Sequence, residues 1–244
     1  MKPQVRASLA SWPGLSHFAA MRLAACRPSE PLIGELLTDH VQLVPQGTDV
    51  LDEHLASVLV NSWPGTSFRL HANVRVLPER RLADLSSYGR HLDWFRAAAR
   101  VHRTLRSVAY SAHAGRRHEA TFNELLDNVR RCADLFECPV AVEGMYPVDG
   151  AGSQEFLIST WQEYQALLES AVPYALDLSH LNILAHRCGR RDDVLVGELL
   201  ASPACMEVHV SANDGLRDAN CVLQDTTWCW PLLGHLQPLA VIFA

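Results

Sequence analysis

The chain has 244 residues, 48% hydrophobic and 20% charged, with a formal net charge of −6. That length buries a full core in one large domain or two small ones, and the acidic balance argues against a protein that grips nucleic acid through its phosphates. Seven cysteines, an odd count with no CxxC pair, argue against a disulfide scaffold and fit a reducing cytoplasm.

In chain order, short apolar runs alternate with helix-like stretches. "FAAMRLA" (18–24) reads as a weak first strand, followed by "HVQLVP" (40–45) and "FRLHANV" (68–74). A helix is expected over 88–105, with Leu92, Phe95 and Val101 for burial, and then the strand "SVAYSAH" (107–113). The segment 121–136 opens with Thr121 and carries Glu124 three residues later, a capping box. Its Leu125, Leu126, Val129, Cys132 and Phe136 share one helical face. "PVAVEGM" (139–145) is the next strand. A second Thr/Glu cap, Thr160 and Glu163, starts a helix over 160–171 with Trp161, Tyr164, Leu167 and Leu168 as its stripe. "PYALDLSH" (173–180), "MEVHVSA" (206–212) and "LAVIFA" (239–244) complete the strands.

Strands separated by crossover helices imply a parallel sheet. Eight units of this size match a (β/α)8 TIM barrel occupying 1–244 as a single domain. A doubly wound open sheet is the runner-up, without support from a GxGxxG or GxxxxGK[ST] turn. The beginning of the chain lacks a charged-then-apolar leader, and no apolar run is long enough to span a bilayer. A cytoplasmic location with no membrane partner is therefore expected.

In such a barrel, function sits at the carboxyl ends of the strands. Those ends carry His71, His113, Glu143, Asp177 with His180, and His209, followed by Asp214 and Asp218. Any one of them has an ordinary reading: a core histidine, a helix cap at Asp177, a turn at Asp218. Ionisable groups on five successive strands at one mouth are costly to desolvate unless a cation is there to be coordinated. Nitrogen and oxygen donors without thiolate suit iron, manganese or zinc, and a carboxylate such as Glu143 can bridge two ions.

The order His71, His113, Glu143, Asp177-x-x-His180, His209, Asp218-x-Asn220 resembles the xylose-isomerase-like metal barrels, which include endonuclease IV and many sugar isomerases. Within them, "LDLSHLNI" and "EVHVSANDGLRDANCVL" with "WCWPLL" look most like the multinuclear non-haem iron oxidases that modify peptides, the methanobactin-oxidase-like and 3-thiaglutamate-biosynthesis-like group. That resemblance implies two or three iron ions, oxygen as oxidant, the cysteine of a ribosomally made precursor peptide as substrate, and a small partner protein that presents it. His71, His113 and Glu143 would form a first site, and Glu143, Asp177 and His209 a second. His180 and Asp218 would be left as a depleted third, since the family's usual histidine is Asn220 here. Two further departures are Gly144 in place of a more typical asparagine and "VIFA" where the family ends its eighth strand on a glutamate ligand. Asp214 and Arg217, on the loop after the seventh strand, are candidate catalytic or peptide-contacting residues, with a solvated turn as the other reading. The alternatives are a zinc- or manganese-dependent sugar isomerase, an endonuclease IV-like phosphodiesterase, and a degenerate non-catalytic barrel.

Overall fold

The structure, a computed structural model, describes residues 4–46, 49–148, 155–224 and 227–244. Eight strands run β1 (Val5–Ser8), β2 (Leu37–Leu43), β3 (Ser67–Leu70), β4 (Tyr110–His113), β5 (Val140–Glu143), β6 (Tyr174–Asp177), β7 (Cys205–His209) and β8 (Val241–Phe243). All neighbouring pairs are parallel, and β8 pairs with β1 to close the barrel. A small antiparallel hairpin, Ser29–Glu30 with Gly34–Glu35, lies outside it.

The helices are α1 (His17–Ala24), α2 (Glu53–Ser62), α3 (Leu92–Leu105), α4 (Phe122–Phe136), α5 (Trp161–Ser170), α6 (Leu178–Cys188) and α7 (Asp193–Ala201). The capping box of α4 forms as expected: Glu124 N donates to Thr121 Oγ1, and the Glu124 carboxylate accepts from Thr121 N at 2.7 Å. Its predicted stripe is the face that is buried. In α5 the Thr160 cap holds and Trp161, Tyr164 and Leu167 are buried, while Leu168 is only partly covered.

One element departs from expectation. "FAAMRLA" is not a strand: residues 17–24 form α1, capped by Ser16, with His17, Ala20, Met21 and Ala24 buried. Those positions follow a spacing of three and four, the period of a helix rather than the period of two that a strand requires. The first strand is instead the four-residue "VRAS", too short and too interrupted by Arg6 to stand out as an apolar run.

The register sets the site. His113 lies beside Glu143, and Asp177 beside His209; Glu143 pairs with Ala175, so the second pair ends two residues further along its strands, and all four stand at the same end of the barrel. His71 follows β3 directly, its N–H donating to Leu43 O at 2.9 Å. Two residues earlier on their strands, and therefore on the same inward face, stand Arg69, Ser111, Ala141, Ala175 and Glu207. A layer below the mouth thus contains a buried ion pair, Arg69 to Glu207 at 2.6 Å, instead of the aliphatic packing usual in such barrels.

Candidate metal centre

Glu143 is the centre of the cluster. It closes β5, is fully buried, and its Oε2 receives no hydrogen bond. That oxygen lies 3.3 Å from His71 Nε2 and 3.3 Å from His209 Nδ1, and its other oxygen lies 3.5 Å from His180 Nδ1. An unmatched buried carboxylate oxygen facing two imidazole nitrogens is costly without a cation. Burial alone would raise the Glu143 pKa, but His209 and His71 outweigh it and hold the carboxyl at about 2.

Asp177 divides its two oxygens between tasks. It is the last residue of β6 and the cap of α6: Oδ1 accepts from Ser179 N at 2.7 Å and His180 N at 3.1 Å. Oδ2 is left facing His180 Nε2 at 3.7 Å and His209 Nδ1 at 3.8 Å. The helix-cap and ligand readings of this residue therefore coexist. Against burial, the neighbouring histidines and these amide donors keep its carboxyl far below the usual range.

Each histidine is oriented by a partner on one ring nitrogen. His180 Nδ1 donates to Gly144 O at 2.9 Å, leaving Nε2 between Asp177 and Asp218 Oδ2, the latter at 3.5 Å. His113 Nδ1 lies 3.4 Å from Asp84 Oδ1, and Asn73 bridges the two. Asn73 adopts a left-handed backbone at φ 59°, which asparagine tolerates better than most residues, and this brings its amide to both groups. Burial opposes protonation of all four histidines. For His71 it prevails and the pKa falls to about 4; for His113, His180 and His209 the surrounding carboxylates prevail, raising His180 to about 10. Without a cation, protons on His180 and His209 balance the carboxylates.

Ligand atoms of His71, His113 and Glu143 lie within 4.8 Å of one another, as do those of Glu143, Asp177 and His180. The donors are imidazole nitrogen and carboxylate oxygen, and Glu143 belongs to both groups. The set fits one or two divalent ions of the zinc or manganese type. A third group, His71, Glu207 and His209, satisfies the same distance test. Glu207 is already spent, however: Oε1 accepts from Gln42, Ser111 and His209, and Oε2 from Arg69.

The remaining expected residues divide. Asp218 lines the cup, with Oδ1 accepting from Ser179 Oγ at 3.0 Å. Asn220 lines its rim at φ 45°, its amide oxygen 3.4 Å from Ser211 Oγ. Asp214 and Arg217 are exposed and do not line the cup. Asp214 Oδ1 instead accepts from Leu216 N and Arg217 N, the turn that was their other reading. Sequence reasoning missed Asp84, Arg69, Ser111 and Glu207; for the last three the signal was a polar residue two before a strand-end histidine.

The cup above the cluster has a volume of about 570 Å3. Its walls include Pro13, Val44, Leu82, Leu223 and Phe243, and among the described residues no lysine or arginine lines it.

No family model matches the sequence, and no curated protein is detectably similar to it. Solved structures do match. A D-tagatose 3-epimerase-like protein is 16% identical over 99% of this chain and 90% of its own, with a TM-score of 0.65. An AP endonuclease, family 2, from Brucella melitensis is 15% identical over 99% and 92%, also at 0.65. The IOLI protein, crystallised with a zinc atom, is 11% identical over 99% and 88%, at 0.64. The fold is thus a (β/α)8 TIM barrel, similar to those of these structures and of a xylose isomerase domain protein. The expected iron- and oxygen-dependent peptide oxidase is corrected by this comparison: the similar structures include sugar epimerases and an AP endonuclease, which match the alternative reading better.

Proposed function

We propose that this chain is a zinc- or manganese-dependent sugar isomerase or epimerase whose substrate is a free, unphosphorylated hydroxy-carbonyl compound. The observation that carries the reading is a cup ending on the unmatched Glu143 oxygen and lined, among the described residues, by no lysine or arginine. Phosphate recognition would call for guanidinium or ammonium donors at the wall, whereas hydroxyl groups need only polar side chains over an apolar floor. The similar D-psicose 3-epimerase structure, solved with D-fructose present, supports the substrate class.

Glu143, Asp177 and His180 would hold one ion, with His209 Nδ1 facing it beside Glu143 and Asp177, and His71 and His113, sharing Glu143, a second. A bound divalent ion supplies Lewis acidity that polarises a substrate carbonyl. Among the carboxylates at the cup, Glu143 and Asp177 are committed to the cluster, which leaves Glu30 and Asp218. Of these, Asp218, its side chain 29% exposed and 3.5 Å from His180 Nε2, adjoins the cluster and is assigned to take a proton from substrate and return it. Ser179 fixes the orientation of the Asp218 carboxylate.

One observation favours a second reading, an endonuclease IV-like phosphodiesterase: the cluster offers more imidazole than a single ion requires. The deciding experiment loads the metal-free protein with zinc or manganese and assays two panels. One is free pentoses and hexoses followed by proton NMR; the other is a duplex oligonucleotide with an abasic site. Interconversion of a free sugar supports the proposal, and strand cleavage without sugar turnover refutes it.

A further inference from the structure

We infer that Glu207, buried beneath the cluster, is a positioning residue that fixes two metal-facing histidines at once, through opposite ring nitrogens. The inference rests on the proposed metal centre but concerns groups that the metal does not touch.

The proton assignments follow from which groups can only accept. Glu207 Oε1 accepts from Ser111 Oγ at 2.8 Å, so the serine proton is spent on the carboxylate. Ser111 Oγ must then accept at its other contact, His71 Nδ1 at 3.0 Å, which makes Nδ1 the protonated nitrogen of His71. His71 Nε2 is left with its lone pair, 3.3 Å from the Glu143 oxygen.

On the neighbouring side of the same oxygen, His209 Nε2 lies 2.6 Å from Glu207 Oε1. Gln42 Nε2 is also close to that ring nitrogen, at 2.7 Å, but it bonds Glu207 Oε1 itself at 2.7 Å. The charged acceptor decides the assignment, so His209 Nε2 donates to Glu207. His209 Nδ1 then faces Glu143 and Asp177.

Two imidazoles, one presenting Nε2 and the other Nδ1, thus flank the unmatched Glu143 oxygen because one carboxylate below them accepts from His209 directly and holds His71 through Ser111. Their rings stand at 90° with centroids 4.9 Å apart, so neither can swing without meeting the other. Arg69 balances the buried charge of Glu207, and Ser8 holds Gln42 in place through Oε1 at 2.7 Å.

Two variants test this. Ser111→Ala cuts the link to His71 and leaves the Arg69–Glu207 pair whole. The double variant Arg69→Met with Glu207→Gln removes both links without stranding a charge, and circular dichroism confirms that each is folded. Zinc affinity is read by competition with a chromogenic chelator, and the His71 tautomer by nitrogen-15 NMR of the metal-free protein.

Ser111→Ala is expected to bind zinc about 10-fold more weakly, and the double variant about 100-fold. The His71 signal should move from a single Nδ1-protonated form to a mixture in both. Zinc affinity within about twofold of wild type in both variants, with the His71 signal unchanged, would overturn the inference. Wild-type protein that binds no zinc would overturn the metal centre instead, and the His71 tautomer would still decide the role of Glu207.

Discussion

Gly144 offers the sharpest test of how tightly the core grips the cluster. A Cβ added there would sit 2.5 Å from Cε1, Cζ and the hydroxyl of Tyr164, contacts that real side chains essentially never make. Tyr164 cannot withdraw: it is fully buried on α5, and its hydroxyl donates to Met145 O at 2.9 Å. Nor can the backbone easily shift, since Gly144 O accepts from His180 Nδ1 and the preceding residue is Glu143. Inserting a methyl group into so fixed a space costs about 2–3 kcal/mol, or about 4–12 °C in melting temperature for a chain of this length. Gly144→Ala should therefore melt lower by that amount and also bind zinc less tightly, because strain relief moves the His180 acceptor. Thermal unfolding of the metal-free protein measures the first effect, and chelator competition the second. Gly144→Ala combined with Tyr164→Leu, which clears the ring, should lose less than the sum of the two single variants. A Gly144→Ala protein melting within about 1 °C of wild type, or strictly additive losses in the pair, would show that the space is not closed as described.

Three other outcomes follow from the geometry. Glu143→Gln removes the shared carboxylate charge and should abolish measurable zinc binding, with metal content after dialysis as the check. In metal-free protein, Glu143 is held at about 2 against an ordinary 4.5, so its contribution to stability is complete above 4.5 and fades as pH falls toward 2. His180, raised from 6.5 to about 10, contributes fully below 6.5 and loses its contribution as pH rises through 10. Burial holds His71, His40 and His102 near 4, so stability falls as pH drops from 6.5 toward 4 and the unfolded chain takes up protons there. Melting temperature against pH should thus peak near 6.5, whereas zinc affinity should strengthen with rising pH because the ion displaces imidazole protons. A zinc affinity independent of pH would contradict that exchange. Asp214→Ala touches only an exposed turn and should change zinc affinity by less than about twofold, with at most about 0.5 kcal/mol lost in stability by chemical denaturation.

The candidate ligands could be read from sequence because each lies at the end of a short β-rich run, where a parallel barrel gathers side chains from separate strands. His71, His113, Glu143, Asp177, His180, His209 and Asp218 do converge, and the capping boxes marked the helices between them. The first strand escaped notice because four residues interrupted by Arg6 carry little pattern, while the stronger apolar run beside it had the period of a helix.

Tertiary structure alone decided the rest. Asp84 reaches His113 from a separate loop, and Glu207 is joined to Ser8 through Gln42, contacts that sequence spacing does not encode. Asp214 and Asp218 are the same residue type and only four residues apart, yet one turns to solvent and the other toward His180, because local backbone bonds claim the first and Ser179 the second. Residue type announces which atoms can bind a cation. Closure of the barrel determines which of them face a common point, and the donors packed behind each ring determine which nitrogen is offered there.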